Sequence, residues 1–545
     1  MKQLSNQIRK DYLNNRPTHQ VWGSKGGVTT MDPIATKVGN DILNNGGNAI
    51  DAAVAISTTL AVTSPNWSGL AGDSAWLYFD NNKKKSFHLD GYSVCPSKIS
   101  ISKLKSIYKL KGDKKKFDYE EPKNLRNTGI SCSMIPGTPF LIDKAHKMWG
   151  STSFEKLIKP SINLAKNGFP VSEYLFNAFL NYRKKITQFK STKKIIDQNE
   201  SLKPGSTFIQ KDLANTLTNF SKLRSKEFTS GKTFKLIMKY NNFNKGFFSE
   251  KDFKEYRIKI RKTFSIKYGK YIVETCGMPT SGISLLQCFE LLKKYNLNKK
   301  KLLSNEYMRI LINTLQLILV NRRETNTDPD FTSLDQKNLL KKNYLKNLKL
   351  DFKSEIKSEN DSTTHFCVWD SKGNIVSATQ SIGYQFGCGE IVDKTGLFMN
   401  DRTWWMSLSN TANKIEPNKR CNIGHAPTIV YEKNRPILTI GSPGGFGIIQ
   451  YIFQVLVHVF NYGIDLQTAI DLPRFKVGNN FKDVFIENRF KKNLYKYLKS
   501  KNINPITCDE WTDLFGGVEG IFKNKSNNYL NCYDIRRNSH SLGLD

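Results

Sequence analysis

The chain has 545 residues, 83 of them lysine or arginine and 48 aspartate or glutamate, which gives a formal net charge of +35 at pH 7. No stretch reaches the ~18 consecutive apolar residues that a membrane-spanning helix needs. The nine cysteines are never spaced as CxxC and the seven histidines form no HExxH pair. The sequence therefore argues against a disulfide framework and a structural zinc site, and it indicates no cofactor.

The positive charge has two interpretations. One is attraction to nucleic acid or to an anionic membrane surface. However, the lysines form many short runs in place of one basic block, and the chain has no RNP pattern, zinc finger or basic helix with heptads. We therefore interpret the charge as lysine spread over solvent-facing sites, and we expect neither nucleic acid nor a membrane as a partner. The alternative, a nucleic-acid-associated protein, predicts DNA retention that falls steeply with salt.

The beginning of the chain, MKQLSNQIRKDYLNNRPTHQVW, lacks the apolar core of a secretory signal. We therefore expect a cytoplasmic protein, whose cysteines are buried small hydrophobic residues in a reducing compartment. The apolar fraction of 39% is sufficient for a packed core in a chain of this length.

Two helices are predicted near the N-terminus. Asp32 supplies an N-cap, Pro33 occupies the first helical position, and the glycine pair Gly46-Gly47 ends the first helix. The second helix, from about Ala49 to Val62, is apolar on nearly every side, so we expect it to be buried.

The middle of the chain separates a helical part from a β part. Residues from about 323 to 362 are charged and poor in apolar side chains, which predicts an exposed, mobile segment. After it, residues 363–370 and 375–382 predict a β-hairpin around a Ser-Lys-Gly-Asn turn. A second hairpin is predicted from residues 428–431 and 437–440.

Thr363 lies where an autoprocessing hydrolase needs a nucleophile, at the start of a strand and directly after an exposed segment. Cleavage between Ser362 and Thr363 would free an α-amino group with a pKa of about 8, which can act as general base for the threonine's own hydroxyl. No His or Asp partner is then required, in agreement with the lack of a Ser/His/Asp signature. By itself, however, a Ser-Thr-Thr run is more often an ordinary loop-to-strand junction.

A glycine-rich turn follows a predicted strand at 441–445, with the sequence GSPGG, and opens a helix near Phe446. The adjacent glycines Gly444 and Gly445 allow backbone N–H groups to point into a pocket at the start of a helix. Such a pair suits an oxyanion hole for a tetrahedral intermediate. A plain strand-to-helix turn is the alternative interpretation.

These features occur together, and in this order, in one family. Several stretches are similar to γ-glutamyltranspeptidases: 26–75, 136–137, 157–172, 279–282, 328–331, 363–365 with Gly373-Asn374, and 441–445. The resemblance covers roughly residues 20 to 525. It implies an α+β fold, the four-layer αββα sandwich of N-terminal-nucleophile hydrolases, formed from two subunits of one autoprocessed precursor. The large-subunit region would be 1–362, and the small-subunit region 363–545 would begin at the nucleophile.

The resemblance also implies roles for particular residues. Thr363 takes the place of the nucleophile, and Ser381 that of a threonine that hydrogen-bonds it. Gly444 and Gly445 supply the backbone N–H pair. His365 matches by position, and we expect it to be structural.

The departures from the family concern substrate binding. Tyr92 stands where the family has the arginine that grips the α-carboxylate of a γ-glutamyl group. Arg402 stands in place of a glutamine, and Trp405 in place of the aspartate that holds the α-ammonium. Asp73 and Asp401 are two acidic residues that could each restore an ammonium partner.

We therefore hypothesise a small amide substrate whose acyl group keeps a carboxylate but lacks a free α-amino group, such as oxamate or a glutaryl-type amide. Arg402 would hold the carboxylate bidentately, and Trp404 and Trp405 would wall a dry pocket. We expect the acyl group to pass to water, and the two fragments to form a heterodimer. The alternatives are a true γ-glutamyl transferase or glutathione hydrolase, and a non-catalytic binding homologue.

Overall fold

The computed structural model describes residues 10–13, 19–107, 128–199, 202–350 and 362–545. Its helices are α1 Pro33–Asn44, α2 Ala49–Thr63, α3 Ile101–Ile107, α4 Thr138–Trp149, α5 Phe154–Asn167, α6 Glu173–Asn181, α7 Arg183–Thr187, α8 Lys190–Asp197, α9 Lys211–Leu223, α10 Lys232–Phe243, α11 Glu250–Glu255, α12 Gly282–Leu292, α13 Asn305–Thr325, α14 Lys342–Lys346, α15 Ile448–Tyr462, α16 Leu466–Asp471 and α17 Asn493–Lys499. Its strands are β1 Val21–Gly23, β2 Gly26–Thr30, β3 Asp73–Asp80, β4 Lys85–Gly91, β5 Phe169–Pro170, β6 Thr207–Phe208, β7 Lys259–Arg261, β8 Thr263–Tyr268, β9 Tyr271–Cys276, β10 Thr364–Trp369, β11 Ile375–Ser381, β12 Ile391–Val392, β13 Leu397–Phe398, β14 Thr428–Glu432, β15 Arg435–Gly441, β16 Phe475–Val477, β17 Asp483–Glu487, β18 Asn504–Cys508, β19 Glu519–Lys523, β20 Tyr529–Cys532 and β21 His540–Leu544.

Two antiparallel sheets carry the architecture. The first sheet has the strand order β1-β20-β19-β15-β14-β9-β8, and the second sheet has the order β21-β2-β10-β11-β3-β4-β7. The sheets face each other, and helices cover the outer face of each. The predicted four-layer αββα sandwich is confirmed.

Side-chain alternation along the strands divides the core into layers. In β10, Cys367 and Trp369 point into the space between the sheets, where they meet Ile429 of the first sheet. Phe366 and Val368 point the other way, into the layer that contains α2. A third apolar layer packs α12, α13 and α15 against the first sheet.

The two predicted N-terminal helices are present. The Asp32 carboxylate accepts the N–H of Ala35 at 2.9 Å, which makes Asp32 the N-cap of α1. Every residue of α2 is buried, as its apolar sequence predicts. Among the described residues, the helices are too short or too polar to span a bilayer.

In the first part of the segment predicted to be exposed and mobile, residues 323–350, many side chains are exposed, but a few are buried. Leu339 is only 1% exposed and lies in a small apolar cluster. Asp328 is buried and accepts the N–H of Arg420 at 2.8 Å. A few apolar side chains and one carboxylate therefore dock a segment whose composition is mostly charged, and its mobility stays a prediction. Residues 351–361 lie outside the described residues.

The hairpin formed by β10 and β11 lies between β2 and β3 in the second sheet. Its turn is organised by Asp370, which is 2% exposed. The Asp370 carboxylate accepts the backbone N–H groups of Lys372 and Asn374 at 2.9 and 2.8 Å. It also accepts the N–H of Ala49 at 2.9 Å, which joins the hairpin to the first residue of α2.

We expect Asp370→Ala to lower the free energy of unfolding by about 2 kcal/mol or more, because several buried N–H donors lose a charged acceptor. The measurement is the thermal denaturation midpoint, with the exposed Asp509→Ala as the control. Asp370→Asn, which keeps one acceptor oxygen, should fall between the two. Equal midpoints for Asp370→Ala and the wild type would contradict this role.

Candidate active site

Thr363, Ser381 and Asp73 lie side by side on one face of the second sheet. Ser381 pairs with Asp73 across β11 and β3. Thr364 pairs with Gln380, so the next pair along the same register is Thr363 with Ser381. Directly opposed residues of antiparallel strands project their side chains to the same side, and neighbouring strands are about 4.8 Å apart. Here that side faces the first sheet.

The peptide bond between Ser362 and Thr363 is intact and held from several sides. The Ser381 hydroxyl donates to the Ser362 carbonyl oxygen at 2.7 Å, and the Gly383 N–H donates to Ser381 Oγ at 2.9 Å. Thr363 Oγ1 lies 2.5 Å from the same carbonyl oxygen and 3.5 Å from Ser381 Oγ. The Ser362 hydroxyl donates to the carbonyl oxygen of Asn66 at 2.9 Å.

This arrangement suits attack of Thr363 on the carbonyl that precedes it. The Gly383 N–H fixes Ser381 Oγ as an acceptor, so the Ser381 proton points at the Ser362 oxygen. That oxygen gains negative charge when Thr363 Oγ1 adds to the carbonyl carbon, and a donor already in place stabilises the charge. The proton of the Thr363 hydroxyl passes to the Thr363 nitrogen as that nitrogen leaves, which gives an ester between Ser362 and Thr363 Oγ1 and a free α-amine; water then hydrolyses the ester and releases the Ser362 carboxylic acid.

The glycine-rich turn has a backbone that favours glycine. Gly444 and Gly445 have φ angles of 115° and 49°, and α15 follows them directly. Gly424 packs against this turn so closely that an added Cβ would lie 2.0 Å from the Gly445 carbonyl oxygen.

The turn and Thr363 are connected through His365. Gly441 ends β15, and a Cβ on it would lie 2.0 Å from His365 Cε1, so the backbone of β15 abuts the imidazole. His365 follows Thr363 by two residues and projects to the same face. This proximity favours the prediction that Gly444 and Gly445 serve as oxyanion donors for Thr363.

His365 itself is in a structural environment. Its Nδ1 lies 2.8 Å from Thr379 Oγ1 and its Nε2 lies 3.3 Å from Cys367 Sγ. Burial lowers the pKa of His365 to about 3, so the ring is neutral at physiological pH. The structural role expected for it agrees with these contacts.

Arg402 is buried and paired with Asp73. Arg402 Nη2 donates to Asp73 Oδ1 at 2.8 Å. Arg402 Nε lies 2.6 Å from Asp73 Oδ2, although without the angle of a hydrogen bond. The guanidinium therefore stands at the Asp73 end of the row that begins with Thr363, and it already has one anionic partner.

Asp401 is also buried and has its own cation. Its two carboxylate oxygens accept the N–H of Tyr384 at 3.1 and 3.3 Å, and Lys185 Nζ lies 3.9 Å from Oδ2. Burial raises the pKa of Asp401 to about 6, while the attraction of Lys185 opposes that rise. Gly383 must remain small here, because a Cβ on it would lie 1.7 Å from Asp401 Oδ1.

The ring of Trp405 lies against the Arg402 guanidinium and packs against further aromatic rings. The ring centroid of Trp405 is 5.3 Å from Arg402 Cζ and 5.0 Å from the ring of Phe446, the residue after the glycine turn. Tyr384 lies 6.5 Å from Trp405 and 5.9 Å from Trp404. Trp405 Nε1 is buried and has no hydrogen-bond partner among the described residues. These contacts make an apolar wall between the glycine turn and Arg402.

Tyr92 is fully buried, and its hydroxyl lies 2.5 Å from His88 Nε2. Its backbone carbonyl accepts the Tyr256 hydroxyl at 2.8 Å. The phenol is thus already engaged with a protein partner, and a part for Tyr92 in substrate binding stays a prediction.

The sequence analysis did not identify Lys185 or His425 as site residues. Lys185 belongs to α7, which is remote in sequence from Asp401, and no motif marks it. His425 follows Gly424 directly and is 2% exposed. Its position next to the glycine turn arises only in the tertiary structure, so the sequence carried no signal for it. No cluster of three or more His, Cys, Asp and Glu side chains suited to a metal ion occurs in the part of the chain that the structure describes.

Comparisons with known proteins agree with this geometry. A family model described as Gamma-glutamyltranspeptidase matches residues 35–544. The glutathione hydrolase proenzyme of Bacillus subtilis (strain 168) is 31% identical over 92% of this chain and 91% of its own length. The capsule biosynthesis protein CapD proenzyme of Bacillus anthracis is 28% identical over 95% of this chain and 90% of its own. The crystal structure of cephalosporin acylase from Bacillus halodurans has the same fold, with a TM-score of 0.88, 24% identity, and coverage of 97% of this chain and 98% of that one.

We expect the purified wild-type protein to give two fragments on a denaturing gel, and Thr363→Ala to remain one chain of 62.3 kDa. Ser381→Ala should slow cleavage about 100-fold, because one donor to the developing oxyanion is lost. Ser381→Thr, which keeps the hydroxyl, is the matched control and should cleave.

Mass spectrometry and N-terminal sequencing of the smaller fragment check these expectations. The smaller fragment should begin Thr-Thr-His-Phe-Cys. A fully active preparation that contains only the intact chain would contradict the mechanism.

Proposed function

Since this chain belongs to the γ-glutamyltranspeptidase family, we propose that Thr363 is the nucleophile of a self-cleaving amide hydrolase whose substrate carries a carboxylate but no free α-amino group. Family membership makes the protein an enzyme, an N-terminal-nucleophile amidohydrolase or acyltransferase produced as a proenzyme. The proposal adds to this the residues that act and the acyl group that they accept.

The catalytic cycle uses the product of self-cleavage. The α-amine of Thr363, with a pKa of about 8, takes the proton from its own hydroxyl as Oγ1 adds to the substrate carbonyl. The N–H groups of Gly444 and Gly445 stabilise the oxyanion. The amine then gives its proton to the leaving nitrogen, and the acyl group remains as an ester on Thr363. Water attacks this ester in the same way, releases the acid and restores the threonine.

One observation carries the choice of acyl group: Asp73 and Asp401, the two acidic residues that the sequence offers as ammonium partners, already have cations from the protein. Arg402 pairs with Asp73, and Lys185 lies beside Asp401. A substrate α-ammonium would have to displace one of these cations or be buried beside it without a free counter-ion, and either arrangement is unfavourable. The pocket is therefore suited to an acyl group that lacks the amine.

Arg402 is the group proposed to hold the substrate carboxylate. Asp73 takes Nη2 and faces Nε, while Nη1 has no hydrogen-bond acceptor among the described residues. The ring of Trp405 lies against the same guanidinium and keeps water from it. A short dicarboxylic monoamide, of the oxamate or glutaryl type, combines a carboxylate with an otherwise compact acyl chain.

A second candidate function is γ-glutamyl transfer or glutathione hydrolysis. The name of the Bacillus subtilis relative, a glutathione hydrolase proenzyme, favours it at 31% identity. A non-catalytic binding role is not favoured, because Thr363, the Ser381 hydroxyl and the glycine turn are all retained. The family match likewise gives no support to a nucleic-acid-associated protein.

We further propose that the fragments 1–362 and 363–545 stay together as a heterodimer. Both sheets contain strands from each side of the cut. In the second sheet, β2 lies between β21 and β10, and β11 pairs with β3; in the first sheet, β14 pairs with β9. Separation of the fragments would break all of these strand pairs.

A cytoplasmic location is part of the same proposal. All nine cysteines lie in the described residues and none forms a disulfide there, which favours a reducing compartment.

We expect the processed wild-type enzyme to hydrolyse a glutaryl or oxamoyl amide with a kcat/KM at least about 10-fold above that of the matched γ-glutamyl amide, because the extra ammonium has no free counter-ion. A p-nitroanilide series with one leaving group and three acyl groups measures this. A preference for the γ-glutamyl compound would defeat the proposal and support the second candidate.

We expect Lys185→Met to shift this preference toward γ-glutamyl amides by about 10-fold, because Asp401 loses its own cation and can accept the substrate ammonium. The pKa of Asp401, about 6 with Lys185 present, rises further once the cation is gone. The assay therefore belongs at pH 8, and the shift should fade as the pH is lowered and Asp401 becomes protonated. The exposed neighbour Lys184→Met is the matched control. An unchanged ratio of kcat/KM values at pH 8 would count against the role assigned to Lys185.

A further inference from the structure

His425 precedes β14 in the chain and lies beside the glycine turn in the folded protein. Its predecessor Gly424 contacts the Gly445 carbonyl so closely that no side chain fits there. Its own carbonyl accepts the N–H of Ser281 at 2.8 Å, which fixes the backbone. The imidazole is 2% exposed. His425 is thus held rigidly beside the predicted oxyanion donors.

The direction of the imidazole follows from the alternation along β14. Ile429 and Tyr431 face the space between the two sheets, whereas Val430 and Ala426 face the outer helical layer. His425 precedes the strand itself, which begins at Thr428, and the same alternation continued back to it would direct its imidazole toward the second sheet. That is the sheet which carries the row of Thr363, Ser381 and Asp73.

The electrostatic surroundings of His425 agree with this direction. Burial lowers the pKa of the His425 imidazole well below its usual range, and the Arg402 guanidinium and the His365 ring lower it further. The two groups that act on it therefore belong to the two ends of the site, Arg402 beside Asp73 and His365 beside Thr363. The ring is neutral at physiological pH and carries one N–H donor and one acceptor nitrogen.

His425 Nδ1 is buried and has no hydrogen-bond partner among the described residues. Nδ1 of His88 and of His458 is likewise buried without a partner among the described residues, whereas both nitrogens of His365 are engaged. A buried polar atom without a partner destabilises a protein and therefore usually has a functional explanation. A ligand bound between Thr363 and Arg402 would supply the missing partner.

We propose that His425 is a specificity-determining residue, whose neutral imidazole donates an N–H to the carboxylate of the acyl group that Arg402 holds. This inference rests on the proposed function and deepens it. A neutral donor is suited to this place, because Arg402 is already the cation and a second full charge would have to be buried next to it. Arg402 provides the charge that attracts the substrate carboxylate, and the His425 N–H sets the orientation in which that carboxylate binds.

The test compares two substrates that differ only in the carboxylate. Glutaryl-p-nitroanilide carries it, and pentanoyl-p-nitroanilide has a methyl group at the same position. The variants are His425→Phe, His425→Asn and, as matched control, His19→Phe at an exposed position before β1. Self-cleavage of each variant is measured first, because it requires a folded site around Thr363.

We expect His425→Phe to lower kcat/KM for the glutaryl substrate about 10- to 100-fold, the effect of one hydrogen bond to a charged group. The value for the pentanoyl substrate should change less than about twofold. His425→Asn, which retains an N–H donor, should recover part of the loss, and His19→Phe should match the wild type. An equal loss for both substrates, or a loss for neither, would overturn the inference. If His425→Phe does not self-cleave, His425→Ala replaces it in the same comparison.

If the proposed function is wrong, the wild-type enzyme will prefer the γ-glutamyl anilide to the glutaryl anilide, which is a different result from any of those above. That compound also carries a carboxylate, so the same variants then decide the role of His425 with it. A selective loss relative to the pentanoyl substrate would support the role of His425, and an equal loss would overturn it.

Discussion

The register between β10, β11 and β3 is the constraint on which the rest of the site depends. It sets Thr363, Ser381 and Asp73 in one row that faces the interior of the sandwich. A shift of one residue would turn Thr363 toward the helical layer, because side chains alternate along a strand. The turn at Asp370, tied to the first residue of α2, helps to hold that register. Every later step, from self-cleavage to substrate binding, uses groups that this pairing brings together.

The Ser381 hydroxyl has a proposed role both in the uncut chain and in the cleaved enzyme. In the uncut chain it donates to the Ser362 carbonyl, the bond that must break. Once Ser362 leaves, the same hydroxyl remains opposite Thr363, next to the new amine. We propose that cleavage leaves this arrangement intact, because both sheets contain strands from both fragments. In the proposed mechanism the enzyme therefore uses one set of groups first on its own peptide bond and then on a substrate amide.

Charge neutralisation defines the chemistry of the pocket. Asp73 and Asp401 are the acidic residues that could attract an α-ammonium, and each faces a cation of the protein. The net result is a buried, nearly balanced set of charges bounded by the rings of Trp405 and Phe446. In such surroundings an added charge must find a partner already in place. In the proposed function a carboxylate is held by Arg402 and the His425 imidazole, whereas Asp73 and Asp401, the acidic residues considered for an ammonium, each already face a cation.

Sequence alone determined what depends on local chemistry and on the order of motifs. The N-cap at Asp32, the buried helix from Ala49, the hairpin after Thr363 and the GSPGG turn were all predicted from residue types and spacing. The resemblance to one family then gave the αββα fold. Tertiary structure alone decided the rest, because hydrogen bonds and ion pairs join residues that are remote in the chain. Such contacts include the pairing of Arg402 with Asp73, the Lys185 cation beside Asp401, and the position of His425 next to the glycine turn. No pattern within a single segment encodes them. For residues 323–350, composition records how many charges the segment has but not which few side chains dock it, such as Leu339 and Asp328.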